Sequence, residues 1–233
     1  MTVVILTISK FFKAGWGEYA EGDKFIGVSV PNCRIIAKKY SDLPLSEIQK
    51  LIRSEIHEER MVALLILVEQ FEKADRKEQE RIFNFYLKNI KYINNWDLVD
   101  LSSYKIVGKY LFRNPYCTTT LKGTTLQGNT LLNILAKSKN LWERRIAIIS
   151  TFAFIKNGKL DKTPEISEIL INDRHDLIHK AVGWMLREVG KISQKREEDF
   201  LKKHYKNMPR TMLRYAIERF GEEKRQLYLK SRV

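Results

Sequence analysis

Apolar residues recur at helical spacing in one segment after another, and this constrains the fold more than any other feature of the chain. Leu45, Ile48, Leu51 and Ile52 form one such stripe behind Ser41, Asp42 and Pro44, which predicts an amphipathic helix over 45–56. A helix from Glu58 to about Ala74 carries Val62, Leu65 and Ile66, and the next holds Ile82, Phe83, Phe85, Tyr86 and Leu87. The same pattern predicts a first helix near 3–13 and later ones near 95–112, 130–138, 141–156, 164–172, 175–191, 196–205, 209–220 and 222–230. Helix follows helix with no strand expected between them, so the fold class is all-α. Short paired helices of this kind resemble a HEAT-like repeat α-solenoid, in which each pair buries its apolar face on its neighbours and the stack curves into a concave surface. No repeated motif marks the period, and an irregular helical bundle is the alternative.

Two stretches interrupt the rhythm. Gly15, Gly17, Gly22, Gly27 and Pro31 punctuate a turn-rich connection, and Tyr116 to Asn129, rich in Thr and Gly, reads as an exposed loop. Neither has linker composition, and 233 residues are enough for one large core, so a single domain over 1–233 is expected.

The net charge is +14, which points to a polyanionic partner, because each Lys or Arg set on a phosphate releases a condensed counterion. No stretch approaches the ~20 apolar residues that span a bilayer, and the apolar opening up to Ile8 lacks a basic leader or a cleavage site. Cys33 and Cys117 form neither a C-x-x-C pair nor a disulfide framework, so a cytoplasmic protein is expected.

Four constellations carry possible chemistry. Trp96 and Asp100 stand four apart at a helix start and share one face, setting a carboxylate beside an electron-rich indole. That suits a cationic ligand or transition state, although capping by Asn95 and core packing by Trp96 and Leu98 explain the same residues. Arg144 and Arg145 open an apolar helix with two planar forks suited to phosphate, or else serve as a solvated or Glu143-paired face. Trp184 and Arg187 lie one turn apart, and Gly183 beside them permits a close helix contact. Lys202, Lys203, Lys206, Arg210, Arg214, Arg219, Lys224, Arg225, Lys230 and Arg232 concentrate basic charge at the C-terminal end.

His175 and His179 lack the glutamate of H-E-x-x-H, and the early glycines match no nucleotide-binding spacing, so neither a metal nor a nucleotide cofactor is expected. His57, Glu58, Glu59 and Arg60 read as a helix start with acidic residues at the positive dipole end.

Gly17–Tyr19, Phe25–Val28, Trp96–Asp100, Trp142–Arg145, Gly183–Glu188 and Met208–Arg210 leading into Leu213–Ala216 together resemble the AlkD-type DNA alkylation repair family. Members of that family are HEAT-like proteins that excise N3- and N7-alkylated purines from duplex DNA. By this resemblance Asp100 matches the catalytic aspartate, Trp96 and Trp184 the active-site tryptophans, Arg145 a phosphate-facing arginine and Tyr19 a DNA-contacting tyrosine. Arg187 and Arg144 are added as candidates for backbone contact. The resemblance implies a monofunctional glycosylase on a concave basic surface, with no cofactor or metal, acting without flipping the base and leaving an abasic site; a nucleoid-associated monomer is expected, since one concave surface suffices for a duplex. Two departures are an N-terminal helix expected to be shortened and an insertion over 116–129. A nucleic-acid-binding scaffold without catalysis and a protein-binding solenoid are the competing readings.

Overall fold

The computed structural model describes residues 2–230, with side chains from Ile5 onward; Arg232 of the basic C-terminal run lies outside them. The fold is all-α. The helices are α1 (Thr2–Phe11), α2 (Val30–Lys39), α3 (Leu45–Ile52), α4 (His57–Lys73), α5 (Arg76–Lys88), α6 (Trp96–Ser103), α7 (Lys109–Arg113), α8 (Gly128–Ala136), α9 (Leu141–Lys156), α10 (Lys162–Leu170), α11 (Asp176–Ile192), α12 (Gln194–His204), α13 (Arg210–Ala216) and α14 (Glu222–Leu229). Contacts divide the chain into two compact units, Met1–Ser102 with Thr120–Gly123, and Ser103–Thr119 with Thr124–Val233.

In the first unit α2 and α3 pack on α4, whose middle is apolar on every side and buried without a break from Ala63 to Val68. A helix without a polar face belongs inside a core. The start of α4 is fixed by the turn-rich segment before α2. Lys24 pairs with Ile56 in a short parallel bridge, the His57 amide donates to the Lys24 carbonyl at 2.8 Å, and the Glu58 carboxylate accepts from the amides of Ile26 and Gly27. Glu58 does stand in the first turn of α4, yet its carboxylate holds a neighbouring loop instead of its own helix end.

In the second unit α9 lies against α8, α10 and α11, and α11 also packs on α12 and α13. Asn140 caps α9, its Oδ1 accepting from the amides of Trp142 and Glu143 at 2.8 and 3.2 Å. Two glycines allow close helix approach. A Cβ on Gly183 would lie 2.4 Å from the Met212 carbonyl on α13, and one on Gly108 would lie 2.3 Å from the Ser150 carbonyl on α9. Gly108 ends a π-helical turn, Tyr104–Gly108, between α6 and α7.

Three local readings are corrected. The segment 116–129 is not an open loop: β1 (Thr118–Leu121) pairs with β2 (Thr124–Gln127) around Lys122 and Gly123, both at positive φ, the conformation a tight hairpin turn requires. Residues 30–39, which the sequence left to a connection, form α2, because Pro31 sits in its first turn, where no amide donor is needed. The helix expected over 45–56 stops at Ile52, since residues 55–57 leave it to pair with Lys24.

Candidate functional site

Trp96 and Asp100 both lie on α6, one turn apart and each half-buried, so the shared face expected of them is present. The entrance of α6 is held from the side chains. Asn95, fully buried, accepts from the Trp96 amide at 2.8 Å through Oδ1 and donates through Nδ2 to Asp23 at 3.1 Å. Asp97 accepts from the Leu98 amide at 2.8 Å and, through its other oxygen, from His57 Nε2 at 2.9 Å.

The Trp96 ring stacks on Phe12 at 5.4 Å and meets the edge of Phe11 at 5.9 Å, and Phe12 in turn stacks on Phe25. Trp96 is therefore fixed by α1 as well as by its own backbone. Asp100 lies close enough to the buried Tyr86 phenol to help hold it above its ordinary range. Burial is the larger cause, and a hydrogen bond with Ser102 opposes both.

The second unit carries the other expected residues. Trp184 is half-buried on α11, donating through Nε1 to Glu188 at 3.1 Å, with its ring 6.2 Å from Phe152. Phe152 meets Tyr104 edge-on at 5.2 Å, and the Lys156 ammonium lies over both rings, at 4.8 and 5.4 Å. This row of aromatics under a cation had no signal in the sequence, because Tyr104, Phe152 and Trp184 come from three separate helical segments.

Arg187 pairs with Glu218, while its Nε is buried without a hydrogen-bond partner. Arg145 is only 5% exposed and donates to the Leu177 carbonyl in the first turn of α11. Arg144 is spread over Asp173, at 2.6 Å, and the carbonyls of Ser138 and Lys139. Both arginines thus tie α9 to the segment that begins α11. Tyr19 is half-buried in the turn-rich segment. Of the C-terminal basic residues, Lys202, Lys203, Lys206, Arg210, Arg214 and Arg219 are exposed, whereas Lys224 pairs with Glu198 and Arg225 with Glu222.

His175 and His179 are used locally: His175 Nδ1 accepts from the Leu177 amide at 3.1 Å, and His179 Nε2 lies 2.5 Å from the Asp173 carbonyl. No group of three His, Cys, Asp or Glu side chains among the described residues is placed to hold a metal ion. No helix among them is long and apolar enough to cross a membrane.

The model of the DNA alkylation repair enzyme family matches residues 5–220. The chain belongs to that family. Its fold is shared with a solved structure described as a predicted DNA alkylation repair enzyme from Enterococcus faecalis, at 16% identity and a TM-score of 0.67, covering 94% of this chain and 96% of that one. No curated protein matches the sequence. As a DNA alkylation repair enzyme, the chain has a use for its charge of +14 against a phosphate backbone. The buried centre formed by His57, Asp23, Asp97 and Arg60 escaped the sequence reading.

Proposed function

We propose that this family member is a monofunctional DNA glycosylase that excises positively charged N3- or N7-alkylated purines from duplex DNA, leaving an abasic site. The observation that carries the reading is the pair Trp96 and Asp100, one turn apart on α6 and both reaching the surface, in a chain of the alkylation repair family. Alkylation at N3 or N7 makes the purine a cation that departs as a neutral base, so little acid catalysis is required. As the glycosidic bond breaks, its electron pair goes to the base and positive charge develops on the deoxyribose. The Asp100 carboxylate stabilises that charge and orients the water that adds at the anomeric carbon, which then loses its proton. Trp96, beside Asp100 on α6, offers an indole face to the cationic sugar, and Trp184 on α11 is the second tryptophan that the family resemblance assigns to the reaction.

The positive charge has no need of a deep pocket, and the base stays unflipped, in contrast to the usual extrusion strategy. Tyr19 and Arg187 contact the backbone. The Glu218 partner of Arg187 is half-exposed, so a phosphate competes for the guanidinium at little cost. Arg144 and Arg145 reach phosphate only by giving up part of their hydrogen bonds to Ser138, Lys139, Asp173 and Leu177. The protein works as a HEAT-like monomer in the cytoplasm, on the nucleoid.

The test is base release from duplex DNA carrying a single 7-methylguanine. Release by the wild type that is abolished in Asp100→Asn, with duplex affinity retained, supports the reading. Tight duplex binding without release from this or a 3-methyladenine substrate replaces it with a non-catalytic DNA-binding scaffold.

A further inference from the structure

The side chains at the start of α6 form a closed set of charges. His57 lies between two carboxylates, with Nε2 2.9 Å from Asp97 and Nδ1 3.3 Å from Asp23. Asp23 also accepts from Arg60 Nη2 at 2.6 Å and from Asn95, while Arg60 Nη1 donates to the Ser54 carbonyl. The side chains of His57, Asp23 and Arg60 are at most 4% exposed and that of Asp97 is 12% exposed. Buried carboxylates facing both ring nitrogens require both nitrogens to carry protons, so the ring is an imidazolium. With Arg60 it balances Asp23 and Asp97, two charges of each sign.

Every element packed around the ring contributes. The connection between α1 and α2 supplies Asp23 and Phe25, α4 supplies His57 and Arg60, and α6 supplies Asp97, with Asn95 just before it. Glu58 faces away, spending its carboxylate on the Ile26 and Gly27 amides. Phe12 and Phe25 cover the imidazole at 5.0 and 4.9 Å, and Phe12 is the ring on which Trp96 stacks. Two independent paths therefore run from His57 to the face bearing Trp96 and Asp100. One goes through Asp97 to the first turn of α6, and the other goes through the Phe12 ring to the indole.

We propose that His57 is a positioning residue for the reaction: bridging Asp23 and Asp97, it fixes the first turn of α6 and with it the placement of Trp96 and Asp100. The inference rests on the glycosylase reading for its catalytic consequence, and on the geometry alone for its effect on Trp96. Taking the imidazolium away leaves two buried carboxylates with one cation between them. The first turn of α6 then swings outward to hydrate Asp97, and a displacement of about 1 Å at a reacting group costs up to ~100-fold in rate. Burial alone would lower the histidine pKa, but hydrogen bonds and charge from Asp23 and Asp97 outweigh it and raise it to about 9. The clamp is thus closed at neutral pH and opens on the alkaline side.

Three proteins separate positioning from mere stability: the wild type, His57→Gln, and His57→Gln combined with Asp97→Asn. The double variant restores charge balance and allows an amide–amide hydrogen bond. All are assayed below their melting temperatures for duplex affinity and for single-turnover release of 7-methylguanine. Positioning predicts release slowed at least tenfold in H57Q, duplex affinity within threefold of wild type, and recovery of most of the rate in the double variant. Release within twofold of wild type in H57Q, or no recovery in the double variant, overturns the proposal.

The second readout needs no activity. With all four tryptophans as 5-fluorotryptophan, the fluorine resonance lost in Trp96→Phe identifies Trp96. That resonance should shift in H57Q and titrate near pH 9 in the wild type but not in H57Q. A wild type that releases no base but shows this titration removes the glycosylase reading and keeps the clamp, whereas an unshifted Trp96 resonance in H57Q removes the clamp.

Discussion

Gly183→Ala is a sharp test of how α11 is seated, because its cost is set by distances across one helix contact. The added Cβ would lie 2.4 Å from the Met212 carbonyl oxygen, 2.5 Å from Tyr215 Cβ and 3.2 Å from the Ala216 amide nitrogen, all on α13. Ordinary contact begins near 3.4 Å, so the two helices must part by about 1 Å (3.4 − 2.4), and two of the three obstacles are backbone atoms that no rotamer change removes. Overpacking of this sort costs about 1–3 kcal/mol. Contacts of 2.4 and 2.5 Å put this case in the upper part of that range, about 2–3 kcal/mol; alanine in a helix interior returns about 1 kcal/mol relative to glycine, leaving a net loss of roughly 1–2 kcal/mol. For a chain of this size that lowers Tm by ~2–8 °C.

The comparison is Gly221→Ala at the entrance of α14, where φ is −56° and nothing lies within 4 Å of the new methyl. That change should stay within about 0.5 kcal/mol of wild type. Thermal melts followed by circular dichroism or calorimetry read both. If Gly183→Ala melts at or above the wild-type temperature, the α11–α13 contact is not the constraint that seats Trp184, the next residue along α11.

Two further substitutions address the charged residues of the second unit. Glu197 is buried with its Oε1 unpartnered; burial, with Glu198 adding and Arg187 opposing, raises its pKa to about 8 from an ordinary 4.5. Between those values the folded carboxyl holds a proton that the unfolded one has lost, so stability falls as pH rises from about 4.5 to about 8. Glu197→Gln should remove that slope and gain several kcal/mol over the wild type at pH 8 compared with pH 5, and a constant difference in Tm across the range would refute the assignment. Arg145→Ala should weaken duplex affinity and flatten its salt dependence by about one counterion if the guanidinium meets phosphate; an unchanged slope would leave Arg145 a role within the fold, to which its hydrogen bond with Leu177 belongs.

What the sequence discloses is what local spacing encodes. The apolar stripes locate most helices within a few residues, and the spacing of four between Trp96 and Asp100 puts them on one helical face without knowledge of any other element. Gly183 was legible as a close contact for the same reason, since a glycine within an apolar helix needs a neighbour to justify it. Local rules also explain two misses. Pro31 reads as punctuation although it occupies a helix first turn, and the alternation of exposed Thr118 and Thr120 with buried Thr119 and Leu121 is a strand pattern too short to stand out among helices.

The centre beneath Trp96 lay beyond such reading for a different reason. Its hydrogen bonds join residues 34, 40 and 72 positions apart, and no periodicity links Asp23, His57, Asn95 and Asp97. Each residue taken singly had a sufficient local explanation: an aspartate in a turn, a histidine and acidic residues at a helix start, an asparagine before a helix. Only the fold sets one against another, and in doing so it gives the Gly-rich segment a purpose that its composition concealed. The turns between α1 and α2 carry Asp23 to the imidazolium and Phe25 to its face, and the Lys24–Ile56 bridge fixes the register in which they arrive. Loosening that bridge should therefore be felt at Trp96, although no residue of the bridge is on α6.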